Sequence, residues 1–340
     1  MSKTAIVTGI TGQTGSYLAE LLLGAEYKVY GLRRRTSTFT TERIDHVYRD
    51  PHISDRLELV YGDLGDQASV ATLVGDVKPD LFFNLGAQSH VRVSFEIPEY
   101  TVDTNATGVF RCLESIRRFS PKTRFLQAST SEMWGNSPAP QDEKTPFCPR
   151  SPYGAAKLAA FWGTVNYREA YKLFAVNSIS ANHESPRRGE TFVTRKITRA
   201  VGRIFHGRQH ELFLGNLEAK RDWSHARDVA KGMLKAILHT EPDDFVFASG
   251  KAKTVRDFAE KAFAHVDLDY KDFVEIDPRY LRPTEVDHLE GNSAKAREVL
   301  GWAPEVDFDQ LVTEMVDHDM HKAAQEVRLA LFQRGRNANP

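Results

Sequence analysis

A glycine-rich turn, Gly9-Ile10-Thr11-Gly12-Gln13-Thr14-Gly15, joins the first apolar run of the chain, Thr4 to Val7, to a helical segment, Ser16 to Leu23. A strand that feeds a helix through such a turn opens a βαβ unit, and the helix N-terminus it creates suits a phosphate group. The rhythm continues. Lys28 to Leu32, Leu57 to Val60, Asp80 to Leu85, Thr123 to Ala128 and Phe174 to Ser180 read as further strands, with helical segments at Gln67 to Val74 and Tyr100 to Phe119 between them. Strands alternating with helices imply an α/β fold with a doubly wound parallel sheet.

The glycine spacing is G-x-x-G-x-x-G, the variant found in extended short-chain dehydrogenases, and its place after a strand and before a helix is the context a dinucleotide site requires. Gly9, Thr11, Gly12, Gln13, Thr14 and Gly15 are therefore assigned to a pyrophosphate. The end of the second strand selects the cofactor. An NAD site places a carboxylate there, whereas arginine accommodates the 2′-phosphate of NADP. The residues are Arg33-Arg34-Arg35, with no carboxylate before Glu42. NADP is expected, its 2′-phosphate held by Arg33, Arg34 or both. Asp63 and Leu64, after the third strand, are expected at the adenine. Leu85, Gly86, Ala87, Gln88 and Ser89, after the fourth, are expected on the cofactor at a ribose or the nicotinamide, where small residues let the backbone approach.

The stretch from Gln127 to Lys157 carries the candidate chemistry. A buried strand delivers Thr130 and Glu132 at its carboxyl end, where ligands sit in open α/β sheets. Pro152 suits the first turn of the next helix. Tyr153 and Lys157, four apart, share one face of that helix, and Leu158, Phe161, Trp162 and Val165 form an apolar stripe on a neighbouring face. A phenol beside an ammonium is a plausible acid/base, because the positive charge favours the phenolate.

Composition excludes other classes. With 45 basic against 46 acidic residues in 340, bulk charge favours neither nucleic acid nor a membrane surface. The two cysteines, Cys112 and Cys148, make no disulfide framework and no zinc spacing. His318 and His321 read as solvated, so no metal is expected. No apolar run approaches a membrane span and no signal peptide is visible, so the expected location is the cytoplasm.

Gly-x-x-Gly-x-x-Gly, Tyr61-Gly62-Asp63-Leu64, Asn84-Leu85-Gly86-Ala87, Ser129-Thr130-Ser131-Glu132 and Tyr-x3-Lys together resemble an extended short-chain dehydrogenase acting on nucleotide sugars. Thr41 to His46, Asn182 to Lys196 and Arg221-Asp222-Trp223 narrow the resemblance to the GDP-mannose 4,6-dehydratase family over nearly the whole chain. Thr14, Arg92 and Met133-Trp134 depart from the residues usual there. The resemblance implies a hydro-lyase that oxidises GDP-D-mannose at C4, removes the C5 proton, loses the C6 hydroxyl as water and returns the hydride to C6. It makes Tyr153 the base at O4, Lys157 its tuning residue and ribose anchor, Thr130 a hydrogen-bonding partner of the sugar, and Glu132 the base at C5. It places Tyr100, His183 and Arg188 on the cofactor. It places Ser89, Glu132, Asn182, Val193, Lys196, Leu214, Gly215, Arg221, Arg282 and Glu285 on the sugar nucleotide, with Arg221 and Arg282 clamping the diphosphate. A homotetramer is implied, with the long 33–55 segment in a subunit contact.

Two rivals, a reductase of the same fold and a non-catalytic NADP-sensing module, are disfavoured by Glu132 and by the intact Thr130, Tyr153 and Lys157. The expected architecture is a Rossmann-type NADP-binding domain (1–186, 215–240 and 247–252) with a smaller α/β substrate-binding cap (187–214, 241–246 and 253–340). On the helix from Val193, Arg195, Arg199 and Arg203 are expected on a solvated or interface stripe.

Overall fold

In the computed structural model, which describes residues 3–337, one sheet dominates. Its strands include β1 (Thr4–Thr8), β2 (Lys28–Arg33), β3 (Leu57–Tyr61), β4 (Leu81–Asn84), β5 (Arg124–Thr130) and β6 (Ala175–Ser180). All pair in parallel, and the order across the sheet is Asp244–Phe247, β6, β5, β4, β1, β2, β3. Helices cover both faces, which is why β4 and β6 are buried along their whole length rather than alternately. Successive residues still part to opposite faces. Val7, Phe83, Leu126 and Val176 meet helix α1 (Gln13–Gly24) and helix Ala226–Leu238, while Ile6, Phe82, Phe125 and Ala175 meet helices Gln67–Val77 and Gly108–Phe119. From neighbouring β1 and β4 the chain departs in opposite directions, so their carboxyl ends open a crevice at the switch point.

A second core joins helices Val193–Phe205, Val255–Ala264 and the start of Phe308–Asn337 through Ile197, Val201, Phe258, Phe263, Val312 and Val316. Around it lie very short strands. Lys220–His225 pairs with Asn182–Glu184, Ala252–Thr254 and His288–Leu289, and Leu212–Leu214 pairs with Val274–Ile276.

Several boundaries differ from the sequence expectation. Strand Asp244–Phe247, placed with the cap as part of 241–246, is the edge of the large sheet. Buried Asn177 of β6 and a bidentate Arg168 hold Asp244 there, each bond 2.9 Å. Ala296 and Trp302, also placed in the cap, pack into the large-sheet core. Conversely Leu217 and Trp223, placed with the large sheet, join the second core. Arg195 is buried rather than solvated, because Asp319 accepts two bonds from its guanidinium at 2.7 and 2.8 Å. Arg203 reaches Glu326 on the same helix as Asp319, so the stripe is an interface inside this chain. Trp162 leaves the apolar stripe and is 56% exposed. The buried face there uses small residues instead, since a Cβ on Gly163 would come within 2.7 Å of the Phe110 ring. No described helix is long and apolar enough to cross a membrane.

Candidate active site

The crevice at the switch point continues between the two cores as one cleft of about 620 Å³. Every residue expected on cofactor or substrate lines it except Gln88. Gln88 is turned into its own loop: its amide bonds His90 and Thr101, and Asn105 both donates to its carbonyl and accepts from its backbone N–H at 2.8 Å. Asn105 sits in the π-helical turn Asp103–Thr107, a widening of the kind found near functional sites.

At the floor, Gly9 has a φ of +68°, and a Cβ there would stand 2.9 Å from the Gly86 nitrogen, so the β1 and β4 turns approach at backbone distance. A Cβ on Gly15 would meet the Gly9 carbonyl at 2.3 Å. Helix α1 carries no acidic residue in its first turn and no side-chain cap, so its positive end is uncompensated. Gln13 and Thr14 face strand Asn182–Glu184 and Ser185, which follow β6. Gln13 donates to the His183 carbonyl and accepts from Ser185, each at 2.8 Å. His183 Nδ1–H donates to the Ala181 carbonyl at 2.9 Å, which leaves Nε2 to accept from the Thr14 hydroxyl at 2.8 Å. Burial and the Arg188 charge bring His183 down to about 4, so it is neutral at physiological pH.

β5 ends at Thr130, and the 3-10 turn Ser131–Met133 that follows buries Glu132 to 5% exposure. Opposite, helix Pro152–Tyr171 starts at Ser151, which accepts from the Gly154 N–H, while Ser94 accepts from the Tyr153 N–H at 3.2 Å. These caps satisfy orphaned amides of the first turn and fix the Tyr153 ring. Burial pushes the phenol up to about 12; the nearby Thr130 hydroxyl opposes the rise, the Glu132 carboxylate adds to it, and Arg188 opposes it. Lys157 donates to the Ala128 carbonyl at 2.7 Å rather than to the phenol, and burial lowers it to about 8.

The buried lysine gives a stability prediction. Its displacement from 10.5 to about 8 corresponds to roughly 3 kcal/mol against the charged form. Lys157→Met loses one charge-assisted bond, but the Ala128 carbonyl still accepts from Gln127 at 2.9 Å. The ligand-free variant is expected to be more stable than the parent by about 1 kcal/mol at pH 7, from these opposing terms. Between pH 8 and 10.5 the unfolded parent binds the extra proton, so parental stability rises with pH and the gap closes. Thermal unfolding of both proteins at pH 7 and pH 9.5 checks this; a gap that widens with pH refutes it.

On the second wall, Arg282 reaches Glu132 at 3.3 Å and Glu285 at 3.8 Å, and buried Arg221 reaches Glu285 at 3.2 Å. Lys196 donates to the Phe213 carbonyl at 2.6 Å and lies 3.5 Å from the Tyr280 ring centroid. Arg188 ion-pairs with buried Glu184 at 3.0 Å and stacks on Phe192 at 3.7 Å. Sequence reasoning missed His90, Glu184, Phe192, Asn216, Arg279 and Tyr280, which also line the cleft. Trp134, next but one in sequence to Glu132, points away from the cleft into a separate cluster with Phe161, Ile179 and Val246.

The family model described as GDP-mannose 4,6 dehydratase matches residues 6–315. The chain is 55% identical over 330 residues to GDP-mannose 4,6 dehydratase 2 of Arabidopsis thaliana, an alignment covering 95% of this chain and 88% of that protein. It is 49% identical over 340 residues to the Homo sapiens GDP-mannose 4,6 dehydratase, covering 94% and 91%. Among solved structures, the Thermus thermophilus UDP-glucose 4-epimerase in complex with NAD superposes with a TM-score of 0.79 at 25% identity, covering 93% of this chain and 98% of that one.

Proposed function

The chain belongs to the GDP-mannose 4,6-dehydratase family, and on that premise we propose that it converts GDP-D-mannose to GDP-4-dehydro-6-deoxy-D-mannose and water, using NADP. The observation that carries this reading is a buried carboxylate, Glu132, in the same cleft as the Thr130, Tyr153 and Lys157 set. A simple reductase has no use for it.

The glycine turn and the uncompensated start of α1 fit a pyrophosphate, and Arg33 and Arg34 on the cleft wall fit a 2′-phosphate. When bound, NADP supplies the hydride acceptor at C4 and the hydride donor at C6. The protein supplies the proton transfers. Tyr153 takes the O4 proton as C4 becomes a ketone; a phenol raised by burial does so when a positive charge lies close by. Thr130 holds O4, and Lys157 anchors the ribose. The ketone acidifies C5–H, Glu132 takes that proton, and hydroxide leaves C6. A proton returns to C5, and the O4 proton together with the lost hydroxide makes the water released. Arg221 and Arg282 grip the diphosphate, exchanging their glutamate partners for phosphate oxygens.

Incubation of GDP-D-mannose with the protein and NADP should give a product lighter by one water, with no net reduction of cofactor; mass spectrometry showing unchanged sugar nucleotide, or a reduced sugar, removes the reading. Replacing Arg33 with Glu and Arg34 with Ala should weaken NADP far more than NAD. Equal losses in calorimetric titrations would count against Arg33 and Arg34 as the holders of the 2′-phosphate.

A further inference from the structure

Parallel pairing of β2 with β3 sets Arg33 directly opposite Tyr61. The Tyr61 hydroxyl accepts from Arg33 at 2.8 Å and from Arg35 at 3.2 Å, and the two guanidinium carbons lie 4.5 and 5.4 Å from its ring centroid. Arg34 turns the other way and donates to the Tyr100 hydroxyl at 2.6 Å. Among the described residues none of these three arginines has a carboxylate partner within ion-pair distance. The Arg33 Nε is buried without a hydrogen-bond partner.

Two guanidiniums on one phenol repel each other. They stay together because the phenol oxygen has two lone pairs to offer and the ring face carries negative potential. A carboxylate in place of the phenol would neutralise the pair and compete with an incoming phosphate. A neutral acceptor holds the cations in place and leaves their charge available. Tyr61 does not line the cleft, whereas Arg33 and Arg34 do.

We propose that Tyr61 is a positioning residue for cofactor selection: its hydroxyl and ring face hold Arg33, with Arg35 behind it, in place to receive a ribose 2′-phosphate. This rests on the NADP reading above, and it adds that selectivity for the 2′-phosphate resides partly in a residue that does not touch it. Arg35, which also does not line the cleft, then contributes charge through the shared phenol.

The test compares ligands that differ only in the 2′-phosphate. NADP and NAD form one pair; adenosine 2′,5′-bisphosphate and adenosine 5′-monophosphate form the other. Calorimetry is run on the parent, Tyr61→Phe and Tyr61→Leu. Tyr61→Phe should weaken both 2′-phosphorylated ligands about tenfold, the scale of a lost hydrogen bond to a charged group, and leave the other two within about twofold of the parent, below the size of any such bond. Tyr61→Leu, which also removes the ring face, should weaken the phosphorylated pair further. A merely structural role would weaken all four ligands together, and that result overturns the proposal, as does an unchanged NADP-to-NAD ratio in Tyr61→Phe. If the Arg33 and Arg34 replacements shift that ratio while Tyr61→Phe does not, the Tyr61 assignment alone fails. If neither shifts it, the NADP reading fails with it.

Discussion

Glu132→Gln is expected to keep substrate binding and oxidation at C4 while slowing water loss by about 10²- to 10⁴-fold, the usual contribution of a general base. The amide matches the carboxylate in shape, and its oxygen can still accept from Arg282, which reaches Glu132 Oε1 at 3.3 Å. Geometry is therefore retained and basicity removed. The 4-keto sugar should accumulate, because nothing takes the C5 proton, and solvent deuterium should no longer enter C5. A second consequence follows from Arg282 facing both Glu132 and, in the proposed complex, the diphosphate. Without the glutamate charge competing for that guanidinium, GDP-mannose should bind at least as tightly as in the parent. Rapid-quench mass spectrometry in deuterium oxide measures both arms. Deuterium entering C5 at the parental rate would assign the C5 proton to another group.

How far the sequence reaches can be judged residue by residue. The strands of the large sheet were legible because parallel strands covered on both faces read as apolar runs, and the dinucleotide turn because its glycines fall between a strand and a helix. Strand Asp244–Phe247 was not, since only its parallel pairing with β6 places it in the sheet. The short strands around Lys220–His225 have no periodicity of their own; pairing defines them. Arg195 looked like a surface residue because its buried partner, Asp319, lies 124 residues away. That Thr130, Glu132, Tyr153 and Lys157 share one cleft was legible because they sit at the carboxyl end of one strand and the start of one helix. Arg279 and Tyr280 were not, since the 3-10 turn Pro278–Tyr280 reaches the cleft through the pairing of Leu212–Leu214 with Val274–Ile276. Gln88 was assigned with its neighbours as a block, and no local signal marked Asn105 as the residue that turns it away.

Tyr153→Phe is expected to stop the reaction one step earlier. The ring should stay where it is, because the Tyr153 backbone N–H is held by Ser94 and the helix start by Pro152 and Ser151. What is lost is the hydroxyl that faces the cleft beside Thr130. Substrate affinity should fall by no more than about tenfold, the scale of one hydrogen bond, whereas turnover should fall by about 10³-fold or more, toward the upper range for proton transfer. Neither 4-keto sugar nor C5 deuterium should form, because without a base for O4 no ketone exists to acidify C5; this separates the variant from Glu132→Gln, which retains the ketone. The pH profile gives an independent sign. A base works deprotonated, so parental kcat/KM should rise with pH on its acid side. Lys157, brought to about 8 by burial, loses its charge as pH rises further and should flatten or reverse that rise. In Tyr153→Phe the residual rate should lack the acid-side slope. A variant that makes 4-keto sugar at the parental rate with the parental pH dependence would show that the O4 proton leaves by another group.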